Sequence, residues 1–272
     1  VTVGHRTTTR ARPRLLDLFC GAGGASMGFA MAGFEVVGVD LEPQPNYPFE
    51  FHQADALEFL DAIDVHGNGW DGWFDAIHAS PPCQRYANVT RWRGNADDHP
   101  DLLGVTLDAL ADRRTLWVVE NVPEAIPEPD LMLCGSMFNL TVRRHRHFLS
   151  SVPLSPPPLS GCRHGDMFPF MHKHERSYAD AMECAWMSSL DAREAIPPAY
   201  TRWIAGQVLE ALGWEHAPAA TRWKRCSRCR KAFPCRRSDA RYCGPNCTEQ
   251  ARYHRTKRLG LTDSNSQKSE QL

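Results

Sequence analysis

Short apolar runs recur through the first 150 residues, and each closes on a turn or an acid. Leu15-Leu16-Asp17-Leu18-Phe19 reads as a strand and leads into a glycine-rich turn. Ala25 to Ala32 carries a helical pattern that ends at Gly33. Glu35 to Asp40 reads as a second strand, and Phe49 to His52 as a third, just before Asp55. Two more runs, Phe74 to Ala79 and Leu116 to Val119, continue the series. They end at Ser80-Pro81-Pro82-Cys83-Gln84 and at Glu120-Asn121-Val122. Strands that alternate with helical segments predict an α/β fold built on a doubly wound, mostly parallel sheet.

The pattern changes after Phe148. Pro153 to Pro158 is proline-rich and extended. Residues 160–177 hold Cys162, His164, His172 and His174 with little periodicity. Helical pattern returns over Tyr178 to Met187 and again over Ala199 to Leu212. The expected organisation is a main domain at 15–214 with a short insert at 150–177, then a small module at 221–258. Disordered tails are expected at 1–14 and 259–272, and no internal repeat is visible.

Composition changes this picture in two ways. The 272 residues are 42% hydrophobic, enough for one sizeable domain and a small appendage. No apolar run approaches the ~20 residues that span a bilayer, and Val1 to Arg14 has no apolar stretch of a secretory signal. A cytoplasmic protein without a membrane partner is expected. Charge is divided unevenly. Residues 222–258 carry 13 Lys+Arg against 2 Asp+Glu, and the remainder carries 18 against 30. A strongly basic tail on an acidic body points to a polyanionic partner.

The ten cysteines are uneven too. Cys226-x2-Cys229, thirteen residues, then Cys243-x3-Cys247 has the spacing of a structural Zn²⁺ site. Phe233 and Tyr242 would give that module a small core, and Cys235 is read as a non-ligand. It resembles fingers of the treble-clef type. Cys134 and Cys184 are read as small core residues. Cys162, His164, His172 and His174 are spaced too loosely to favour a second metal. Exposed or phosphate-facing histidines are the preferred reading there.

Four further segments carry candidate chemistry. Asp17 to Gly24 is a strand-to-helix turn whose glycines would let a ligand approach the backbone at a helix N-terminus. It is not a dinucleotide fingerprint, because Ser26 stands where the third glycine belongs. Cys83 follows two prolines that stiffen its turn. Glu120, after four apolar residues, is expected to be a partly buried carboxyl held protonated by burial. Arg144 and Arg146 alternate onto one face of an expected strand. A thiol and a carboxyl at the ends of parallel strands suit attack on a pyrimidine ring, the thiolate at C6 and the carboxyl at N3.

Taken in order, these segments resemble the DNA cytosine-5 methyltransferases over roughly 14–150 and 178–213. The resemblance implies the class I S-adenosylmethionine-dependent methyltransferase fold, with S-adenosyl-L-methionine as methyl donor and DNA as partner. It implies Cys83 as nucleophile, with Glu120, Arg144 and Arg146 completing the catalytic set. Cofactor contacts would come from Phe19, Gly21, Gly23, Asp40, Leu41, Asp55, Ala56 and Pro81. Ala195 to Thr201 looks like the last motif of short phage-type members, which adds Tyr200 and Thr201 as cofactor contacts. This chain has Ser-Pro-Pro-Cys-Gln where the family usually has Phe-Pro-Cys-Gln, and Val142 where it usually has Gln.

The insert at 150–177 is far shorter than the family's usual target-recognition domain, so discrimination is slight or lies elsewhere. Three alternatives remain open. An amino-group methyltransferase also begins its loop Ser-Pro-Pro but needs an aromatic at position 83. An RNA cytosine methyltransferase would share the scaffold. A catalytically silent zinc-finger DNA-binding protein would not need Cys83, Glu120 and Arg146 intact.

Overall fold

Seven strands of one sheet carry the first part of the chain. In the computed structural model, residues 12–63, 72–86, 101–158, 161–165 and 175–214 are described, with 222–225, 227–228, 232–235 and Arg241 beyond them. The chain divides into two compact units, residues 1–220 and 221–272. The first runs β1 (Arg14–Leu18), α1 (Gly24–Ala32), β2 (Glu35–Asp40), β3 (Glu50–Gln53), α2 (Ala56–Ala62) and β4 (Ala76–Ala79). It continues with α3 (Leu102–Ala111), β5 (Leu116–Asn121), β6 (Leu131–Leu133) and β7 (Arg146–Ser150). Three helices close it: α4 (Glu175–Ala181), α5 (Ser189–Glu194) and α6 (Pro198–Ala211).

The sheet order is β3-β2-β1-β4-β5-β7-β6. The first five strands are parallel; β7 is antiparallel to β5, and β6 to β7. This is the doubly wound sheet expected from the alternation of strands and helices. The central strands are buried almost throughout, as continuous apolar runs in a parallel sheet should be. The chain winds outward from β1 to β3 and then returns to place β4 beside β1. That reversal puts a crevice at the C-terminal ends of β1 and β4.

Helix α1 lies against α6 at unusually close range. A Cβ on Gly28 would stand 2.0 Å from Thr201 Oγ1 and 2.3 Å from the Pro198 carbonyl. A Cβ on Gly24 would stand 2.4 Å from the Ile196 carbonyl. These two glycines, one helical turn apart, let the last helix reach the turn that opens α1.

Two expectations change. The helix expected over Tyr178 to Met187 stops at Ala181, because Glu183 takes a left-handed φ of 60°. Helix then restarts at Ser188, whose hydroxyl accepts from the Asp191 amide while Asp191 accepts from the Ser188 amide. The expected Arg-x-Arg strand begins only at Arg146, so Arg144 precedes it.

In the second unit, β8 (Arg222–Arg225) and β9 (Ala232–Cys235) form an antiparallel pair. Cys226, Cys229, Cys243 and Cys247 lie outside the described residues. Among the described residues no helix is long and apolar enough to cross a membrane.

Candidate active site

The turn between β1 and α1 bends through three left-handed residues: Phe19 (φ 57°), Gly21 (49°) and Gly23 (83°). Glycine takes this region freely, but Phe19 is held there at a cost. The Cys20 amide donates to the Val39 carbonyl at 3.1 Å, which ties the turn to β2. Asp40, at the end of β2, is fixed by two backbone amides. Its Oδ2 accepts from Gly21 at 2.8 Å and its Oδ1 from Glu42 at 3.0 Å. Leu41 beside it is 63% exposed, unusual for leucine. Asp55 caps α2, its Oδ1 accepting from the amides of Leu57 and Glu58 at 2.8 and 3.0 Å. Ala56 is buried in the first turn of that helix.

Beneath the turn lies a buried polar set that the sequence did not announce. His78 Nδ1 is 2.7 Å from Asp17 Oδ1, and Ser26 donates to the other oxygen of Asp17. Tyr47 reaches Ser26 at 2.9 Å. Asp17, Ser26 and His78 are fully buried. Each has an ordinary structural reading taken singly in the sequence; only the fold brings them together.

Cys83 sits just past the C-terminal end of β4. The Ser80 amide donates to the Leu18 carbonyl at 3.1 Å, extending β4 along β1. Pro81 is held from the other side, its carbonyl accepting from the side-chain amide of Asn121 at 3.0 Å. The Tyr86 amide donates to the Cys83 carbonyl at 3.0 Å and closes a turn. The Tyr86 hydroxyl then meets Asp101, the N-cap of α3, at 2.5 Å. Partial burial first, and then the hydrogen bond to that carboxylate, push the phenol up to about 12.

Glu120 and Arg146 meet above this loop. Arg146 Nε lies 2.7 Å from Glu120 Oε1, and both side chains are nearly buried. The pairing follows from register: Glu120 faces Phe148 across the β5–β7 ladder, and Arg146 opens β7. The approach is ionic rather than an aligned hydrogen bond, so Oε1 has no aligned donor among the described residues. The carboxyl expected to be partly buried is buried, and it is paired with Arg146. The Cys83 thiol is raised above its ordinary value, first by burial and then by Glu120; Arg146 and Arg144 pull it down. The Cys83 thiol, the Glu120 carboxyl and both guanidinium groups therefore act on one another at a single place.

Arg144 is anchored away from solvent. It donates to the Tyr178 hydroxyl at 2.8 Å and to the Arg193 carbonyl at 2.6 Å. This arrangement ties the approach to β7 to α4 and α5. Tyr200 and Thr201 lie in the first turn of α6. Both are fully buried, and their hydroxyls donate to the Arg144 carbonyl at 2.6 Å and the Ala25 carbonyl at 2.8 Å. They join α6 to the Arg144 segment and to α1. Trp186 is a support that the sequence reading missed: its indole donates to the Ala22 carbonyl of the glycine turn at 3.0 Å.

The C-5 cytosine-specific DNA methylase family matches residues 13–131. The type II methyltransferase M.HgiGI of Herpetosiphon aurantiacus is 31% identical over 123 residues, 41% of this chain and 92% of that protein. M.HgiDI of the same organism is 29% identical over 126 residues, again 41% of this chain but only 38% of that longer relative. Among solved structures, the S. pombe Dnmt2 methyltransferase aligns at 13% identity and a TM-score of 0.44, covering 75% of this chain and all of that one.

Proposed function

Because the chain belongs to the C-5 cytosine-specific DNA methylase family, we propose that it transfers a methyl group from S-adenosylmethionine to C5 of a cytosine turned out of DNA. The observation that carries the reading is the meeting of Cys83, Glu120 and Arg146 at the ends of β4 and β5 and the start of β7.

The residues around the crevice fit the cofactor. The left-handed turn from Phe19 to Gly23 exposes backbone ahead of the α1 N-terminus, and Asp40 is held in place by Gly21 and Glu42. Exposed Leu41 offers an apolar surface for an aromatic base, and Asp55 and Ala56 stand at the end of the neighbouring strand. Ser80 Oγ is buried without a hydrogen-bond partner among the described residues, close to Pro81 at the loop's start. When bound, S-adenosylmethionine supplies an electrophilic methyl group on a sulfonium.

The cytosine must leave the stack for its C6 to be reached. Cys83 then adds as thiolate to C6, which makes C5 nucleophilic. Glu120 serves N3, so the ring accepts electrons as the C–S bond forms. Arg146 holds Glu120 from one side and is placed to bind O2. Asn121 fixes Pro81 and with it the backbone that aims Cys83. Once C5 carries the methyl group, a base working through water removes the C5 proton. The electron pair returns to the ring and Cys83 is expelled.

In the second unit, the basic charge and cysteine spacing support a structural Zn²⁺ at Cys226, Cys229, Cys243 and Cys247 in a module that engages the DNA backbone. The test of the whole reading is to incubate the full chain with S-adenosylmethionine and either random-sequence duplex DNA or RNA, and to map 5-methylcytosine by bisulfite sequencing. Methylation of DNA is expected, together with covalent trapping on DNA that contains 5-fluorocytosine. Methylation confined to RNA, or none with a folded chain, overturns it.

A further inference from the structure

Beside the Arg-x-Arg segment, four side chains of metal-binding type converge. Cys134 directly follows β6, His145 directly precedes β7, and Cys162 and His164 come from the short insert. Their four ligand atoms all lie within 4.8 Å of one another. Cys134 Sγ is 3.5 Å from His164 Nε2, and Cys162 Sγ is 3.4 Å from His145 Nε2. The two Nε2 atoms are 3.2 Å apart.

These spacings match the edges of a tetrahedron around one ion. Zn–S of about 2.3 Å and Zn–N of about 2.0–2.1 Å at tetrahedral angles put sulfur and nitrogen about 3.6 Å apart, and two nitrogens about 3.3 Å apart. Hydrogen bonds alone do not account for the cluster. If each thiol donates to the imidazole beside it, the two Nε2 lone pairs face each other at 3.2 Å with no proton between them. If one imidazole donates to the other, a thiol is left without its acceptor. A disulfide between Cys134 and Cys162 would give no reason for two imidazole nitrogens to converge on the same point. A cation at the centre satisfies all four at once.

We propose that Cys134, His145, Cys162 and His164 bind one Zn²⁺, separate from any metal in the second unit. Two thiolates and two neutral imidazoles make a closed, uncharged complex, the form of a structural site. Binding releases the two thiol protons and forms two Zn–S and two Zn–N bonds. Support from the surroundings is already in place. Ser136 Oγ donates to Cys134 Sγ at 3.3 Å and accepts from the Arg163 amide at 3.1 Å. The ion would fasten the insert, which is too short for a core of its own, to the segment that carries Arg144 and Arg146. This assignment also adds a role to Cys134, read from the sequence as a core residue, and to His164, read as exposed or phosphate-facing, and it joins Cys162 and His164 in a metal set that their loose spacing did not favour. His172 and His174 lie outside the described residues.

The experiment uses the full chain and reads each cysteine separately by alkylation and mass spectrometry, with Zn²⁺ added or removed by a chelator. Cys162 is exposed, so the metal-free protein labels there readily. Zn²⁺ should slow that labelling by about tenfold or more, because the metal holds the thiolate. His164→Ala should abolish the protection of Cys162 while leaving that of Cys226 and Cys229 intact. Zinc content should fall by one ion per chain in His164→Ala, and likewise in Cys162→Ser if the first variant misfolds. Equal labelling of Cys162 with and without Zn²⁺, or unchanged zinc content in both variants, overturns the site. Neither readout depends on methyl transfer.

Discussion

Arg146 Nε lies 2.7 Å from Glu120 Oε1, and the pair stands over the Cys83 loop. Glu120 therefore has two parts to play: it is the counter-charge of a buried guanidinium, and in the proposed reaction it is the carboxyl that serves a cytosine N3. Glu120→Gln should separate them. The amide can still accept from Arg146 but cannot pass a proton, so methylation should slow by about 10²–10⁴-fold with DNA affinity little changed. Single-turnover rates and DNA binding measured on the same variant check this; an effect confined to KM for DNA would make Glu120 a binding residue.

The Cys83 thiol lies above its ordinary value because burial outweighs the two arginines. A raised thiol pKa means less thiolate at neutral pH and reactivity that keeps rising at alkaline pH. Alkylation of Cys83 in the free protein should therefore climb with pH past the point where an exposed cysteine levels off. Glu120→Gln removes a negative neighbour and should move that midpoint down. Arg146→Met removes the larger favourable charge and should move it up. Peptide-resolved alkylation rates across a pH series read both, and shifts of the same sign in the two variants would refute this electrostatic reading.

Much of this site was legible because strand ends are marked by sequence. Cys83, Glu120 and the glycine turn each follow an apolar run, and a parallel sheet puts such positions at one edge. Side-chain partners were not legible. Nothing in the sequence says that Arg144 turns toward Tyr178 and the Arg193 carbonyl, or that Tyr200 reaches the Arg144 backbone. Those are contacts across 34 to 56 residues, set by how α4 to α6 fold back over the sheet. Nor does any local pattern say that the backbone of Ala195 to Thr201 lies against Gly24 and Gly28 of α1. The insert's metal-ligand types were visible, yet half of the converging set comes from flanks of β6 and β7 that no local spacing links.

Asn121 joins the two catalytic strand ends. It is 1% exposed and donates to the Pro81 carbonyl at 3.0 Å, while its own oxygen accepts from the Val122 amide at 2.8 Å. Asn121→Ala leaves both backbone groups without these partners and should cost about 1–3 kcal/mol of stability. The larger signature should be kinetic. With Pro81 released, Cys83 is less well aimed, so the single-turnover rate falls while DNA affinity holds. Equal loss of rate and of affinity would point to general unfolding instead.

Two helical glycines, one in α1 and one in α6, should respond oppositely to alanine. At Gly28 the new Cβ meets Thr201 Oγ1 at 2.0 Å and the Pro198 carbonyl at 2.3 Å, so α6 must move away. Gly28→Ala should destabilise by about 1–3 kcal/mol or more. At Gly206, inside α6, a Cβ meets nothing within 4 Å. Gly206→Ala should stabilise by about 0.5–1 kcal/mol through helix propensity. Denaturant midpoints of the two variants decide it, and a tolerated Gly28→Ala would mean the close approach is not needed.

The basic module leads to the last prediction. The chain separates into units at 220/221, and every catalytic candidate lies in the first. Removing 221–272 takes away 14 of the 31 Lys+Arg but only 4 of the 32 Asp+Glu, and leaves an acidic unit facing a polyanion. DNA affinity should fall, and its dependence on salt should flatten as phosphate contacts are lost, by about 0.9 in the log–log slope for each contact removed. Methylation at saturating DNA should survive in part, because Cys83, Glu120 and Arg146 keep their neighbours. Binding isotherms at several salt concentrations, with and without 221–272, measure this directly. An unchanged affinity with an unchanged slope would place DNA contact in the first unit, and the basic module would then serve another polyanion or a protein.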